Sequence, residues 1–196
     1  MMGLNYDKTK IVGSELTQKF ATFLILFAFW MVMSGGDTEP KFLFYAVVTA
    51  AVVTYLTYPL LLVGNSTGSK YYYLFSVSPV KALQYFFWLM WQLILANLDV
   101  LFATTAQDMW SKIDPKVIRF RCKMDNPMAH VVLANSITLT PGTVTLNVEG
   151  DLYEIHALTP GAAEGCLEGG MQRKVAWLFD EDMEFEALGV VEEAKA

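Results

Sequence analysis

The side chains that could bind a metal ion or act as nucleophiles are few, and their spacing assembles no recognisable site. The chain has 196 residues with two His, His130 and His156, and two Cys, Cys122 and Cys166. None of them stands at the short separation of zinc ligands, and neither a Gly-Lys-Ser/Thr phosphate loop nor a G-x-S-x-G motif occurs. The residues therefore predict no metal and no cofactor, and they argue against an enzyme.

Asp99 is the one acidic residue beside a long apolar segment, and proton or cation movement is the chemistry that it could perform. Ionisable groups inside a bilayer are costly and often functional. However, a single acid cannot line a path across a membrane, and the chain lacks the internal repeats that are typical of transporters. We therefore favour a capping or pairing role for Asp99 over ion translocation.

The composition indicates a membrane protein whose acidity is confined to one end. Hydrophobic residues make up 54% of the chain and charged residues 17%, with a mean hydropathy of +0.36, whereas soluble domains carry roughly 25% charged residues. The net charge of -6 arises wholly in residues 180–196, where seven acids oppose one base, and it argues against a nucleic-acid partner. Residues 181–196 are predicted to form a solvated, mobile acidic tail, with partner docking as the alternative.

Two of three uncharged stretches have the length and composition of membrane-spanning helices. The uncharged stretches cover residues 20–36, 42–69 and 82–98. Because a spanning helix needs roughly 20 mostly apolar residues, we predict spans at residues 16–36 and 42–63.

The third stretch belongs to a predicted membrane-associated helix at about residues 80–106 that carries a polar stripe. Such a helix either spans the membrane against other protein or lies at the interface with its stripe toward water. At 100° per residue, the polar side chains fall within about 80° of each other; they are Lys81, Gln84, Gln92 and Asp99.

The distribution of basic residues favours the interfacial alternative. Three lysines, Lys8, Lys10 and Lys19, precede the first span; the connection at residues 34–41 carries two acids against one Lys, and five basic residues follow at residues 112–123. Basic flanks tend to stay in the cytoplasm. Two spans satisfy this rule everywhere, whereas three spans would leave a basic flank outside. We therefore favour two spans plus an interfacial helix, with three spans as the alternative.

The expected organisation is a membrane domain at residues 1–111, a cytoplasmic α+β domain at residues 112–180 and the acidic tail at residues 181–196. The α+β domain begins with residues 116–123, which alternate as in a half-buried strand. Its inward side chains are predicted to be Ile118, Phe120 and Cys122, and its outward ones Arg119, Arg121 and Lys123. The basic face is predicted to be the solvated face of an edge strand, with contact to anionic lipid headgroups as the alternative.

A helix and a tight turn are predicted after this strand. Asn126 is expected to cap the helix and Pro127 to occupy its first position. Residues 140–143, Thr-Pro-Gly-Thr, fit a type II turn with Gly at the position that needs a positive φ. The side chains expected to face inward from the helix are Met128, Val131 and Val132.

A β-hairpin is predicted next. Apolar residues at 144, 146 and 148 alternate with polar ones, and Gly150-Asp151 fits a two-residue type II′ loop. The predicted cross-strand pairs are Val148 with Tyr153, Leu146 with Ile155 and Val144 with Ala157.

The rest of the domain is predicted to be a Gly-rich loop at residues 159–170 and an amphipathic helix at residues 171–179. The order strand, helix, strand, strand, helix is most of a split βαβ domain. The fold class expected for the chain is a membrane protein with N-terminal transmembrane helices, an interfacial or third transmembrane helix, and a small cytoplasmic α+β domain.

Two segments resemble one known family. The run LANSITLTPGTVTLNVEGDLYEIHAL at residues 133–158 resembles the signature of the E-type subunit of the Mrp/Mnh-type multisubunit cation/proton antiporters. Residues 78–100, which end in Asn-Leu-Asp-Val, resemble the same family. The resemblance implies a small integral membrane subunit of a complex that exchanges cytoplasmic Na⁺ for external H⁺, in which large subunits pass the ions and the E-type subunit serves assembly or full activity.

The resemblance implies structural or interface roles, not catalysis, for the matching residues. It also implies other integral membrane subunits and membrane lipid as partners, in a bacterial inner membrane. The Lys-bearing N-terminus, residues 159–170 and the acidic tail depart from the family pattern. The alternative function, from another class, is a membrane-tethered binding or sensor module unrelated to ion transport. The residues predicted to have structural or interface roles are Asn97, Asp99, Asn135, Ser136, Thr138, Thr140, Pro141 and Gly142.

Overall fold

The chain forms two compact units, an N-terminal unit of Met1–Ser76 and a C-terminal unit of Val77–Ala196. Lys8, Lys10 and the last six residues of the predicted tail lie outside the described part of the chain. The computed structural model describes residues 11–36, 38–65, 68–105 and 112–190.

The N-terminal unit is a helical hairpin followed by a small two-stranded sheet. Helix α1 spans Glu15–Met33 and helix α2 spans Pro40–Thr57, which confirms apolar helices at both predicted spans. A 3₁₀ turn follows at Tyr58–Leu61. Strands β1 (Leu62–Gly64) and β2 (Tyr71–Tyr73) then pair antiparallel.

Small and polar side chains make the contact between the two helices of the hairpin. Helix α2 presents Ala46, Ala50 and Thr54 at every fourth position, and all three are buried. Helix α1 buries Gln18 and Thr22. Small residues at this spacing let helices approach closely, which favours helix pairing in a membrane.

Hydrogen bonds tie the interior of the N-terminal unit together. Gln18 Nε2 donates to Val12 O at 2.7 Å, and Gln18 Oε1 accepts from Tyr58 OH at 2.9 Å. Thr22 Oγ1 lies 2.6 Å from Tyr73 OH. The interior of this unit therefore combines small residues and tyrosines with hydrogen-bonded polar groups, while large aliphatic and phenylalanine side chains lie on its surface.

Within the described residues, the C-terminal unit contains one long helix, a four-stranded sheet and three shorter helices. The strands lie in the order Thr143–Glu149, Leu152–Ala157, Lys116–Lys123 and Glu184–Val190, and every neighbouring pair is antiparallel. This is the complete β-α-β-β-α-β arrangement of a split βαβ fold, so the predicted α+β class is confirmed. The elements are α3 (Pro79–Thr105), β3 (Lys116–Lys123), α4 (Pro127–Leu139), β4 (Thr143–Glu149), β5 (Leu152–Ala157), α5 (Pro160–Leu167), α6 (Gly170–Phe179) and β6 (Glu184–Val190).

Strand β6 lies where the sequence predicted a mobile acidic tail, so that prediction is wrong for residues 184–190. In its pairing with β3, Phe185 lies opposite Cys122 and packs on the core, while Glu184 Oε2 lies 3.2 Å from Lys123 Nζ. At the start of this strand, acidic residues alternate with an apolar one, as in a half-buried strand. Opposite charges on neighbouring strands, such as Glu184 and Lys123, also favour pairing. Strand β3 is consequently an interior strand, not the predicted edge strand.

The hairpin of β4 and β5 forms with a different register from the predicted one. Val148 lies opposite Tyr153 as predicted, but a bulge at Leu146 places Val144 opposite His156 and breaks the two other predicted pairs. Val144 and Leu146 are exposed, so the predicted inward face is wrong for these two residues, whereas Val148 packs against the core as predicted.

Two threonines explain the shift in the hairpin. Thr143 Oγ1 donates to Ile137 O at 2.6 Å, and Thr145 Oγ1 donates to Ala134 O at 2.9 Å. Because these hydroxyls satisfy carbonyl groups near the end of α4, both threonines turn toward the helix and Val144 turns outward.

Helix α4 has the predicted cap but a different buried face. Asn126 Oδ1 accepts from the Met128 N–H at 3.0 Å. Of the predicted inward residues, Val131 is exposed and the other two are only half-buried. The helix is apolar on nearly all sides, so its periodicity does not select a face, and contacts with α3 and the sheet select it. The buried side chains are Ala129, Leu133, Ser136 and Ile137.

The predicted loop at residues 159–170 is mainly helix α5. Thr159 Oγ1 accepts from the Ala162 N–H at 3.2 Å, and Pro160 occupies the first helical position. Glycine lowers helix propensity, but this cap and the packing of α5 on the sheet override it. The last predicted helix is confirmed as α6.

The C-terminal unit packs in three layers. One face of the sheet packs against α4, α5 and α6, and α3 lies on the far side of these helices. Tyr85 and Leu89 of α3 belong to the same apolar cluster as the sheet residues. Helix α3, which the sequence analysis assigned to the membrane domain, therefore forms one compact unit with the α+β region. The largest fully buried apolar side chains of the unit include Ile118, Phe120, Leu133, Tyr153, Ile155 and Val175.

Candidate functional site

Helix α3 turns one side toward the α+β region along most of its length. Near its start, Lys81 Nζ donates to Trp177 O at 3.3 Å. One turn later, Tyr85 OH and Ser136 Oγ are 2.8 Å apart and buried. Near its end, Ala103 is buried. Two residues of the polar stripe, Lys81 and Gln92, therefore lie beside folded protein, whereas Gln84 and Asp99 are exposed.

The turn between α4 and β4 is shaped for close contact with α3. Gly142 has a φ of 87°, and the Thr143 N–H donates to Thr140 O at 3.2 Å, which confirms the predicted type II turn. A Cβ atom at Gly142 would lie 3.2 Å from Val100 Cγ2, closer than ordinary van der Waals contact. Backbone conformation and space thus both favour glycine here.

A cavity of about 390 Å³ lies between α3 and the α+β region. Helix α3 supplies one wall, the turn at residues 140–143 supplies a second, and α5 and α6 supply the third. Such a mixture of apolar walls with a few polar groups is typical of a binding cavity. The side chains that reach it include Trp88, Gln92, Leu95, Asp99, Thr140 and Met171.

Gln172 is the most deeply buried polar residue of the cavity wall. Its side chain is fully buried, and its Nε2 donates to Cys166 O at 2.9 Å. Its Oε1 has no hydrogen-bond partner within the described residues. Asp99 and Glu168 also line the cavity, and none of the described lining residues is basic. The cavity therefore suits a hydrogen-bond donor better than an anion.

The cavity does not assemble a catalytic pair. Burial raises the pKa of the Cys166 thiol to about 11, so the thiol stays protonated at neutral pH. In the part of the chain that the structure describes, no group of three or more His, Cys, Asp or Glu side chains could hold a metal ion.

His130 and Cys122 have structural surroundings. His130 Nδ1 lies 2.8 Å from Tyr153 OH, and its Nε2 lies 3.0 Å from Met124 O. Cys122 is fully buried in the core, and burial, reinforced by the charge of Asp151, raises the pKa of its thiol to about 12. Neither side chain is poised as a nucleophile or base.

The predicted structural or interface residues fall into two groups. Ser136 and Gly142 contact α3, while Asp99, Thr140 and Pro141 line the cavity. The structure thus brings five of the eight residues to the contact between α3 and the α+β region. An interface role for all eight stays a prediction. The other three side chains donate within their own helices: Asn97 to Leu93 O at 2.8 Å, Asn135 to Val131 O at 2.7 Å and Thr138 to Ala134 O at 2.9 Å.

Three contact residues of this site were not predicted from the sequence: Tyr85, Trp88 and Gln172. Tyr85 lies about 20° from Gln92 around the helix axis, so its hydroxyl could have been counted in the polar stripe. Gln172 stands three residues before Val175, on the inward side of the predicted last helix. The sequence did contain a signal for this contact, since a polar side chain stands on the predicted buried face of the last helix.

The basic face of β3 carries ion pairs with acidic neighbours. Arg119 Nε donates to Glu154 Oε1 at 2.6 Å, and Lys123 Nζ lies 3.2 Å from Glu184 Oε2. Exposed pairs of this kind contribute little stability, but they offset two of the three positive charges of the face. It is less basic than its sequence indicated.

Apolar helices and a split βαβ fold define a membrane protein with a small α+β domain. Three described helices are long and apolar enough to cross a membrane. Residues 23–176 match the family described as Na⁺/H⁺ ion antiporter subunit, MNHE. The chain belongs to this family of antiporter subunits, and the resemblance of its LANSITLTPGT run is confirmed.

Two individual proteins are similar to the chain over most of their length. The E1 subunit of the Na⁺/H⁺ antiporter of Staphylococcus saprophyticus is 27% identical over 133 residues, which cover 68% of this chain and 76% of the relative. One chain of the membrane-bound sulfane sulfur reductase, an archaeal respiratory membrane complex, has a TM-score of 0.61 and 27% identity over 83% of this chain and 99% of its own. The protein is thus a subunit of a cation antiporter-like membrane complex.

Proposed function

We propose that the chain is an accessory subunit of a multisubunit Na⁺/H⁺ antiporter that supports assembly or full activity and does not itself carry ions. The observation that carries this proposal is that the two N-terminal spans are uncharged apart from Lys19, which pairs with Glu15 at the start of α1. Residues 20–36 and 42–63 contain no Asp, Glu, Lys, Arg or His. A proton or cation path through a membrane normally uses such side chains.

The surface of the hairpin supports a packing role. The large apolar side chains of α1 and α2 point outward, where lipid or other membrane subunits can cover them. Van der Waals packing drives helix association in a bilayer, so this surface is suited to neighbouring subunits. Examples with at least 60% exposure are Leu16, Phe20, Phe29, Phe44, Tyr55 and Leu56.

The packing of α3 supports an interfacial position for this helix. Contacts with the α+β region run from Lys81 to Ala103, a length of about 33 Å at the rise of an α-helix. The hydrocarbon core of a bilayer is only about 30 Å thick. If α3 crossed it, the charged α+β region beside α3 would lie in hydrocarbon as well.

The face of α3 that points away from the α+β region is suited to the bilayer surface. It is apolar and aromatic, as in helices that lie in the plane of a membrane interface. With two N-terminal spans, the basic residues that follow support a cytoplasmic α+β region. The exposed side chains of this face include Leu83, Phe87, Trp91, Ile94, Leu98 and Leu101.

Deletion of this subunit from cells that carry the whole antiporter tests the accessory role. We expect Na⁺/H⁺ exchange and the co-purification of the remaining subunits to fall together. Loss of exchange with fully assembled partners would contradict a scaffold role, and ion exchange by the purified chain alone in liposomes would exclude it.

Cysteine accessibility tests the topology. Ser69→Cys and Glu149→Cys place thiols in the N-terminal and C-terminal units, at exposed positions. Two spans predict that both thiols react with an impermeant reagent only from the cytoplasmic side. Reaction of Glu149→Cys from outside, with Ser69→Cys reacting from inside, would require three spans.

A further inference from the structure

Two lysines and two tryptophans form a compact cluster where α3 meets α6. Lys81 Nζ lies 5.3 Å from the centroid of the Trp177 ring. Lys174 Nζ lies 5.4 Å from the same ring and 5.9 Å from the Trp88 ring. We call Lys81, Trp88, Lys174 and Trp177 the Lys–Trp cluster.

The Lys–Trp cluster borders the apolar face of α3. Around the helix axis, Lys81 and Trp88 lie within about 80° of the exposed Trp91. Lys174 and Trp177 are exposed on the adjoining helix α6. Tryptophan and lysine are the residues that proteins place at the level of lipid headgroups, with the ring near the acyl chains and the ammonium near phosphate.

From this arrangement we propose that the Lys–Trp cluster binds the headgroup of an anionic phospholipid. The phosphate lies against the two ammonium groups, and the acyl chains lie along the apolar face of α3. The inference rests on the interfacial position proposed above for α3, and it adds a specific lipid partner.

The charges of the cluster leave room for an anion. Lys81 pairs with Asp180, whose side chain is 78% exposed and can turn toward water. Lys174 forms no ion pair with a carboxylate in the described part of the chain, and its ammonium group lies over aromatic rings. The two lysines and Asp180 thus carry one net positive charge, which a phosphodiester would neutralise.

The other basic surface of this unit is in the wrong place for lipid contact. Arg119, Arg121 and Lys123 point away from the core on the open face of the sheet. The helix layer and the sheet separate this face from α3 by about 20 Å. Acidic neighbours also offset two of its three positive charges. The alternative that β3 contacts headgroups is therefore not favoured, and its residues provide a matched control.

The test uses the full-length protein in nanodiscs that contain equal amounts of phosphatidylglycerol and phosphatidylcholine. Native mass spectrometry of the released protein counts the molecules of each lipid that stay bound. We expect the wild-type chain to retain phosphatidylglycerol preferentially. Each cluster lysine near an anionic surface contributes about a fivefold preference, so K81Q/K174Q is expected to lower the preference on the order of 20-fold.

Two control variants separate a local site from total charge. K81R/K174R keeps both charges and is expected to retain the preference. R121Q/K123Q removes the same charge from the far face of the sheet and is expected to leave the preference unchanged. An equal loss in K81Q/K174Q and R121Q/K123Q would overturn the proposal, as would full retention in K81Q/K174Q.

Asp180→Asn gives a second test that does not weaken the cluster. Asp180 has a φ of 55°, and Asn tolerates this left-handed conformation. Removing the carboxylate frees Lys81, so we expect the phosphatidylglycerol preference to rise by about fivefold. An unchanged or lower preference would contradict an anion site at Lys81.

A fluorescent probe on Leu98→Cys distinguishes failure of this inference from failure of the proposed topology. Leu98 is exposed on the apolar face of α3. If the probe reports a lipid environment while phosphatidylglycerol shows no preference, the lipid site is wrong and the interfacial helix stands. If the probe reports water, the interfacial position itself is wrong.

Discussion

The two units of this chain have opposite interiors. The N-terminal unit buries polar Gln18 and Thr22 and exposes Phe20 and Phe29. The C-terminal unit buries apolar side chains such as Phe120 and exposes charged ones along its sheet. This is the difference expected between a helical hairpin surrounded by lipid and an α+β region surrounded by water.

The physical reason for the difference is the source of helix association in each solvent. In water, removing apolar surface contributes about 25 cal/mol per Å², so an apolar core holds the α+β region together. In lipid, apolar side chains gain nothing by leaving one apolar environment for another. Close packing of Ala46 and Ala50 and hydrogen bonds of Gln18 must therefore hold the hairpin.

Helix α3 combines both designs in one element. One side carries Tyr85 and Leu89 into the core of the C-terminal unit, and the other exposes Phe87, Trp91 and Leu98. A helix with two such sides is consistent with the interfacial position proposed above.

The largest expected effect tests the apolar core. Phe120→Ala empties a fully buried site beside Tyr153 and is expected to cost about 3–5 kcal/mol of unfolding free energy. Phe29→Ala, at a site 64% exposed in α1, is expected to change it by less than about 0.5 kcal/mol. Thermal or chemical unfolding followed by circular dichroism in one detergent measures both. Equal losses of unfolding free energy in the two variants would contradict the difference between the interiors of the two units.

The next effect tests the polar interior of the hairpin. Gln18→Leu removes the hydrogen bonds to Val12 O and from Tyr58 OH and is expected to cost about 1–3 kcal/mol, although it adds apolar volume. Gln84→Leu makes the same change at an exposed site of α3 and serves as the control. A more stable Gln18→Leu protein in the same unfolding assay would show that the hairpin has an ordinary apolar core.

A smaller effect tests the attachment of α3 to the C-terminal unit. Gly142→Ala forces a side chain into a left-handed conformation and against Val100, at a cost of about 1–2 kcal/mol. Val100→Ala in the same protein relieves the contact but not the backbone strain, so partial rescue is expected in a double-mutant cycle. Complete additivity would indicate that α3 does not pack on the turn.

The smallest effect concerns the thiols of the C-terminal unit. The ordinary thiol pKa of 9.0 is raised to about 12 at Cys122 by burial, so the thiolate fraction at pH 8 is lower by about a thousandfold. The neutral thiol stabilises the fold below pH 9, and this contribution is lost as pH rises toward the folded pKa. We expect negligible labelling by iodoacetamide at pH 8 until denaturant is added. Rapid labelling of native protein would show that the core opens.

Local features were predictable because their causes lie within a few residues. The Asn126 cap, the type II turn at residues 140–143 and the alternation of β3 each follow from short-range chemistry, and each is present. Pairing between Val148 and Tyr153 follows from the short loop that joins their strands.

Features that depend on distant partners were not predictable in this way. The acidic run at residues 184–190 forms a strand because β3, about 60 residues earlier, offers an edge and opposite charges. The buried face of α4 and the register of β4 depend on each other through Thr143 and Thr145. At the candidate site, Asp99 and Thr140 were identified, but the buried amide of Gln172 and the Tyr85 hydroxyl were not.

The sequence by itself determined that long apolar helices precede a small α+β unit, since hydropathy and short periods belong to the residues themselves. Only the tertiary structure decided which side of α3 packs against the α+β region and which side stays exposed. It also decided that residues 184–190 of the predicted acidic tail form the fourth strand of the sheet. Both outcomes depend on which surfaces are left uncovered after the rest of the chain has folded, and no local pattern carries that information.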